Sequence, residues 1–326
     1  MRVKSTSSLS PSSTLRLSRA RQASSLNSSS EAFPQHRLRR ALQYVPGSFA
    51  PEKLSRAIKG PADAYVLDLE DSVNEGRKDL ARDQALACES EPLTSELLVR
   101  VNHTSRLEAD IASVAANQTS LNTLLIPKVN KAEEIHRIAS LVDKIASKHS
   151  AIQIIASVES ARAIVDLKEI AQASHRLTGL MFAAEDYCAD VGVTRTPSRS
   201  ELLFARSSVV TVAKAYRLSA IDMVCIAHKD LAVLQDEAED GARLGFTGKQ
   251  VIHPSQVDIV QRAFAPSPRA IKRAQAVLEQ MKKAEQQGRG AYSLHEEDGS
   301  STMIDAPMIL QAKATLSAAK AAGLSS

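Results

Sequence analysis

Two carboxylates, Glu159 and Asp186, close two consecutive apolar runs. Residues 152–158 lead into Glu159, and residues 177–184 lead into Glu185 and Asp186. Runs this short, rich in aliphatic and β-branched residues, read as buried strands. An acid just past a buried strand costs free energy unless something pairs with it. In a parallel α/β protein that position is also the mouth where ligands bind. Two such acids on neighbouring strands can share one hard cation, and Mg²⁺ fits because it takes few protein carboxylates and keeps open positions for water and substrate. The bland roles are helix capping, which suits Glu159 because a helix follows it directly, and pairing with an arginine.

Other charged residues fall at run ends too. Arg100 lies inside Leu97-Leu98-Val99-Arg100-Val101. A buried guanidinium cannot shed its charge, so it must be paired. It either bridges to Asp68 or Glu70 or stabilises negative charge that develops on a substrate. Asp68, Glu70 and Asp71 crowd the end of another run and repel one another unless a cation is near. They either surround a metal through its waters or bind Arg100. Asp68 and Glu70 alternate, so they share one side of the strand. Lys128 follows Pro127 at a run end; a Schiff base there needs a lowered pKa, and acidic surroundings push the other way. His253 reads as a hydrogen-bonded structural residue rather than a base.

The elements that must position these groups repeat regularly. Strands are predicted over 42–45, 64–69, 97–102, 123–129, 152–158, 177–183, 220–226 and 248–253, with helical patterns such as 132–146, 161–171 and 202–218 between them. This period is that of βα units on short loops. Eight units predict an α/β fold, a (β/α)₈ TIM barrel with a C-terminal helical or flap extension. A doubly wound sheet is the rival, but the first strand ends in Val45-Pro46-Gly47-Ser48 with no GxGxxG. Residues 185–200 are expected to form an active-site loop. A helix over 268–285 is broken at Gln286-Gln287-Gly288-Arg289-Gly290, a hairpin or flap is expected over 291–304, and a last helix over 306–322. The predicted organisation is residues 1–37 as an N-terminal targeting segment, 38–264 as the barrel, and 265–326 as an extension serving a neighbouring subunit's site.

Composition narrows the class. Aromatic residues are 3% of the 326 and Trp is absent, so the core must be aliphatic. The net charge of +4 is small and concentrated at the N-terminus, which argues against a nucleic-acid partner. Residues 1–30 hold Arg2, Lys4, Arg16, Arg19 and Arg21, no Asp or Glu, and many serines. That pattern predicts a mitochondrial transit peptide, with an ordinary polar tail as the alternative. Cys88, Cys188 and Cys225 are far apart and form no CxxC, so neither a disulfide framework nor a zinc site is expected. No apolar run reaches membrane-spanning length.

Eight segments together resemble the citrate-lyase β-subunit-like branch of the HpcH/HpaI aldolase superfamily, nearest its mitochondrial citramalyl-CoA lyase type. They are Tyr44-Val45-Pro46-Gly47, Leu67-Asp68-Leu69-Glu70-Asp71, Val99-Arg100-Val101-Asn102, Ile126-Pro127-Lys128-Val129, Val158-Glu159-Ser160-Ala161, Glu185-Asp186, the run from Gly245 to Pro254, and Met303-Ile304-Asp305-Ala306-Pro307. The resemblance implies a Mg²⁺-dependent lyase that cleaves a 3-hydroxyacyl-CoA diacid, of the citramalyl-CoA or malyl-CoA type, to acetyl-CoA and a 2-oxo acid, or runs the condensation. It implies Glu159 and Asp186 as metal ligands, and Arg100 facing the thioester oxygen. Asp305 would come from the adjacent subunit and act on the acetyl methyl group. Asp68, Glu70, Asp71, Lys128 and Glu185 would hold metal-bound waters or contact substrate. It further implies a homotrimer or hexamer and, with the N-terminal segment, the mitochondrial matrix. Ala183-Ala184 stand where many relatives carry Gly, which would crowd the site. Two rival readings are a class II pyruvate aldolase acting on CoA-free hydroxy-oxo acids and a non-catalytic binding subunit.

Overall fold

The computed structural model describes residues 37–87, 95–116, 121–145, 152–286, 292–295 and 301–324. The expected targeting segment, Cys88 and the break after Gln286 lie outside the described residues.

Each predicted strand is present. In chain order they are β1 (Ala41–Pro46), β2 (Ala64–Asp68), β3 (Glu96–Arg100), β4 (Leu121–Ile126), β5 (Gln153–Val158), β6 (Leu177–Phe182), β7 (Ser219–Asp222) and β8 (Gly248–Val251). All neighbours pair in parallel, and β8 returns to β1, so the sheet closes into a barrel. Helices α1 (Pro51–Ala57), α2 (Lys78–Ala87), α3 (Leu107–Ala116), α4 (Ala132–Ile145), α5 (Ala161–Val165), α6 (Leu167–Gln172), α7 (Ala184–Val191), α8 (Leu203–Ala215), α9 (Leu231–Leu244) and α10 (Val257–Ala263) fill the connections.

Strand alternation splits the core in two. Leu42, Ala64, Val66, Leu98, Leu125, Ile155, Met181 and Ile221 pack inside the barrel. Their chain neighbours, such as Ala41, Tyr65, Leu67, Leu97, Leu124 and Ile154, pack outward against the helices. Below the inner layer, Arg39 forks onto Glu96 at 2.7 and 2.8 Å, and Glu96 also accepts from Thr123, which seals the amino-terminal end. At the carboxyl ends of the strands the same inward phase continues into Tyr44, Asp68, Arg100 and Glu159, so the polar residues follow from the pleat.

Two helical expectations need correction. Residues 161–171 are not one helix: the ladder breaks at Asp166, which sits between α5 and α6 with a non-helical ψ of 14°. Residues 185–200 are not all loop: α7 starts directly after β6 and ends at Gly192, whose left-handed φ of 71° closes the helix. Beyond the barrel, α11 (Pro268–Gln286) is followed by an antiparallel hairpin of β9 (Tyr292–His295) and β10 (Ser301–Ile304), then α12 (Ala306–Ala321). Ala274, Val277, Ile304 and Ala312 form a small core of their own there.

Candidate active site

Asp68 and Arg100 stand opposite each other in register on β2 and β3. Arg100 donates from Nε and Nη2 to the two Asp68 oxygens, both at 2.7 Å. This fork fixes the guanidinium plane. Asp68 also accepts from the backbone N–H of Glu70 and of Ser72. Burial opposes its charge, but Arg100 and these N–H groups hold its carboxyl below the ordinary value. Arg100 gives a further bond to Asp71 at 3.1 Å and lies over the Tyr44 ring, 5.0 Å from its centroid. The Tyr44 hydroxyl donates to Gln250 Oε1 at 3.1 Å, and Gln250 donates in turn to the Phe182 and Asp222 carbonyls.

Glu70 is the strained member. Lys128 donates to its Oε1 at 3.0 Å. Its Oε2 is 3.1 Å from Arg100 Nη1 yet is buried without a hydrogen bond. Burial, with Asp71 adding repulsion, pushes the carboxyl up to about 7. Lys128 itself adopts a left-handed φ of 54°. Burial works against its charge, but the Glu70 bond prevails and its pKa is raised, the opposite of what a Schiff base needs.

Glu159 follows β5 in the inward phase and is only 6% exposed. Its bonding partners are Ser157 and the Lys128 backbone. Burial raises its pKa, and the charge of Asp186 raises it further. Glu159 does not cap the helix that follows it, because Ser160 caps α5 by accepting from the Ala163 N–H at 3.1 Å. Asp186 is exposed on the first turn of α7. Among the described residues neither acid has an ion pair, which removes the arginine-pairing role. No group of three or more His, Cys, Asp or Glu is placed to hold a metal ion among the described residues. Two hard carboxylates, one of them buried and held in its charged form only at a cost, fit a cation such as Mg²⁺ that completes its shell with water and substrate oxygens.

Glu185 does not join this group. Successive residues on a helical turn diverge by about 100°, and Glu185 accepts instead from Arg195 Nη1 at 2.7 Å. Ala184 is buried in the outer core layer, so its methyl group does not crowd the mouth. Asp305 is exposed and caps α12 by accepting from the Met308 N–H at 2.9 Å. That bond lies outside the Arg100 network. His253 bonds to Ser255 at 2.7 Å, as a structural residue does.

Four participants were not anticipated as site residues. Tyr44 and Gln250 hold Arg100 from one side; the available signal was a polar residue in the inward phase of a strand. Lys78 donates to Asn102 Oδ1 at 2.6 Å and to the Glu70 carbonyl at 3.1 Å. Asn102 is in turn held by the buried Asp110. Lys78 sits on a helix, and no pattern in the chain places it there.

Comparison with known proteins bears on the family and the barrel. The family profile of HpcH/HpaI aldolase/citrate lyase matches residues 40–254. Human mitochondrial citramalyl-CoA lyase is 33% identical, covering 94% of this chain and 92% of its own. The citrate lyase β subunit of Leuconostoc mesenteroides subsp. cremoris is 33% identical, covering 87% of this chain and 94% of its own. CitE of Mycobacterium tuberculosis, solved with magnesium, acetoacetate and coenzyme A, superposes with a TM-score of 0.70 at 30% identity, covering 87% of this chain and 98% of that one. With its closed eight-stranded barrel and this span of likeness, the chain belongs to the HpcH/HpaI aldolase/citrate lyase family and is a carbon–carbon lyase.

Proposed function

We propose that this enzyme is a Mg²⁺-dependent lyase that cleaves a 3-hydroxyacyl-CoA diacid, of the citramalyl-CoA or malyl-CoA type, into acetyl-CoA and a 2-oxo acid, or joins them in reverse. The observation that carries the reading is a forked, fully charged Arg100 near a buried Glu159 that has no ion pair of its own among the described residues, both at one barrel mouth. Glu159 and Asp186 would hold the cation. Mg²⁺ bound there supplies a Lewis acid for the oxygen of the oxo-acid fragment. Arg100 keeps donors that Asp68 and Asp71 do not use, and these would face the thioester oxygen. The substrate hydroxyl would give its proton to water as its oxygen becomes the carbonyl of the 2-oxo acid; the electron pair of the parting carbon–carbon bond moves into the acetyl-CoA enolate, and a fixed guanidinium stabilises that charge. Asp305 of a neighbouring copy would give the enolate carbon its proton. Glu70 and Lys128 would orient the substrate carboxylate or metal-bound water. The mitochondrial relatives and the basic, acid-free N-terminal segment support a matrix location, and the solvent-facing extension supports a homotrimer or hexamer.

The full chain, assayed with citramalyl-CoA and with malyl-CoA, is expected to release acetyl-CoA, to stop in EDTA and to recover with added Mg²⁺. Cleavage confined to a CoA-free hydroxy-oxo acid would overturn this reading in favour of a class II pyruvate aldolase.

A further inference from the structure

We propose that Arg195 is a positioning residue that ties the first turn of α7 to the barrel wall and so aims Asp186. The inference rests on the reading of Asp186 as a cation ligand. Asp186 belongs to the opening turn of α7, whose N-cap residue, Ala183, offers no side-chain cap. Ala184 and Cys188 seat α7 in the outer core and Tyr187 packs on Phe182, but no side chain of α7 hydrogen-bonds to its opening turn. Arg195 does so from outside. It lies three residues past Gly192, on the stretch that turns back after α7, and its side chain is only 9% exposed.

One guanidinium gathers three elements. Nη1 donates to Glu185 Oε1 at 2.7 Å, next in the chain to Asp186. Nη2 donates to Glu237 Oε1 on α9 at 2.6 Å and to the Val224 carbonyl beyond β7 at 3.1 Å. The other Glu237 oxygen accepts from Lys249 Nζ at 3.1 Å, and Lys249 is fully buried on β8. The chain of charges therefore runs from Glu185 through Arg195 and Glu237 to a strand of the barrel. A planar fork with several donors in fixed directions suits this bridging role; a lysine would reach one acceptor at a time. Arg195 hydrogen-bonds to neither Glu159 nor Asp186, so its effect on the cation is indirect. Groups hydrogen-bonded directly to metal ligands typically change metal affinity about 10–100-fold when removed, and a tether one residue away is expected at the lower end of that range.

The test measures Mg²⁺ affinity of the substrate-free full chain by titration calorimetry, for the wild type and for Arg195→Ala, Glu185→Gln and Arg199→Ala. Arg199 lies on the same connecting stretch and pairs with Asp236 and Asp240 rather than with α7. It therefore reports general loosening of that stretch. Arg195→Ala and Glu185→Gln are each expected to weaken binding roughly tenfold or more, with Arg199→Ala within about twofold of wild type. Wild-type affinity in Arg195→Ala or Glu185→Gln overturns the tether, as does an Arg199→Ala loss equal to that of Arg195→Ala. Should Arg195→Ala fail to fold, Glu185→Gln decides, because Glu185 is half-exposed. A wild-type chain that takes up no Mg²⁺ sinks the metal reading itself and this one with it.

Discussion

Arg100 forks onto Asp68 through Nε and Nη2 and reaches Asp71 through Nη1, and that commitment is what gives it a fixed direction. Replacing it with Lys keeps the charge but loses the fork onto Asp68. Arg100→Lys is expected to lower kcat by about 10²–10³-fold, the usual cost of losing a donor to a developing oxyanion, while Mg²⁺ binding survives; steady-state kinetics and calorimetry read the two separately. Glu70 carries a second consequence. Its carboxyl is pushed from the usual 4.5 up to about 7. Between those values the native state keeps a proton that the unfolded chain has lost, so raising the pH drains stability across that window. Urea unfolding of the EDTA-treated protein is expected to show wild type losing stability from pH 5 to 7 relative to Glu70→Gln. Equal slopes would mean that Glu70 titrates normally. At this scale the chain was legible where a residue lies in the inward phase of a strand. Asp68, Arg100 and Glu159 could be placed from alternation alone. Glu185 could not, because its direction depends on where α7 begins and on Arg195 ten residues later.

Elements decide what Glu159 costs. The end of β5 delivers this acid into the mouth, while Ser160 takes over the capping of α5, so burial and the charge of Asp186 outweigh the help from Ser157, the Lys128 backbone and the charge of Arg100. Glu159→Gln keeps the shape and removes the charge. It is expected to raise stability in EDTA by about 1 kcal/mol, in line with the penalty for an uncompensated buried polar group, and to abolish the stabilisation that Mg²⁺ gives the wild type. Thermal melts with and without Mg²⁺ measure both. A variant less stable than wild type in EDTA would mean that another group neutralises Glu159. Gly47 shows how tightly the ends of β1 and β2 approach. An added Cβ would meet Leu69 Cδ2 at 2.9 Å and the Asp68 carbonyl at 3.0 Å. Gly47→Ala is expected to cost about 1–3 kcal/mol in urea unfolding, with a matching loss of activity because the shift reaches Asp68. Strands were legible here because both faces of each are buried and bounded by turns. The α5–α6 break was not: Asp166 interrupts an apolar pattern that continues in phase on both sides.

For the whole molecule, the eightfold βα period pointed to a closed barrel once the missing GxGxxG turn had set the open doubly wound sheet aside. The role of the extension is different in kind. Its core of Ala274, Val277, Ile304 and Ala312 is small, and Met303 and Leu310, on either side of Asp305, are 69% and 64% exposed. An acid flanked by solvent-facing apolar side chains suits a surface that a second copy covers. If Asp305 serves a neighbour's barrel, Asp305→Asn and Glu159→Gln damage different halves of a composite site. Each variant alone is expected to lose most turnover. Unfolded together at equal amounts and refolded, they are expected to regain activity. A site is whole only when an Asp305→Asn barrel meets a Glu159→Gln extension, which random assembly allows for about a quarter of sites. No recovery, with both variants assembled to wild-type size, would place Asp305 in its own chain's site. Full activity of Asp305→Asn alone would remove it from the chemistry.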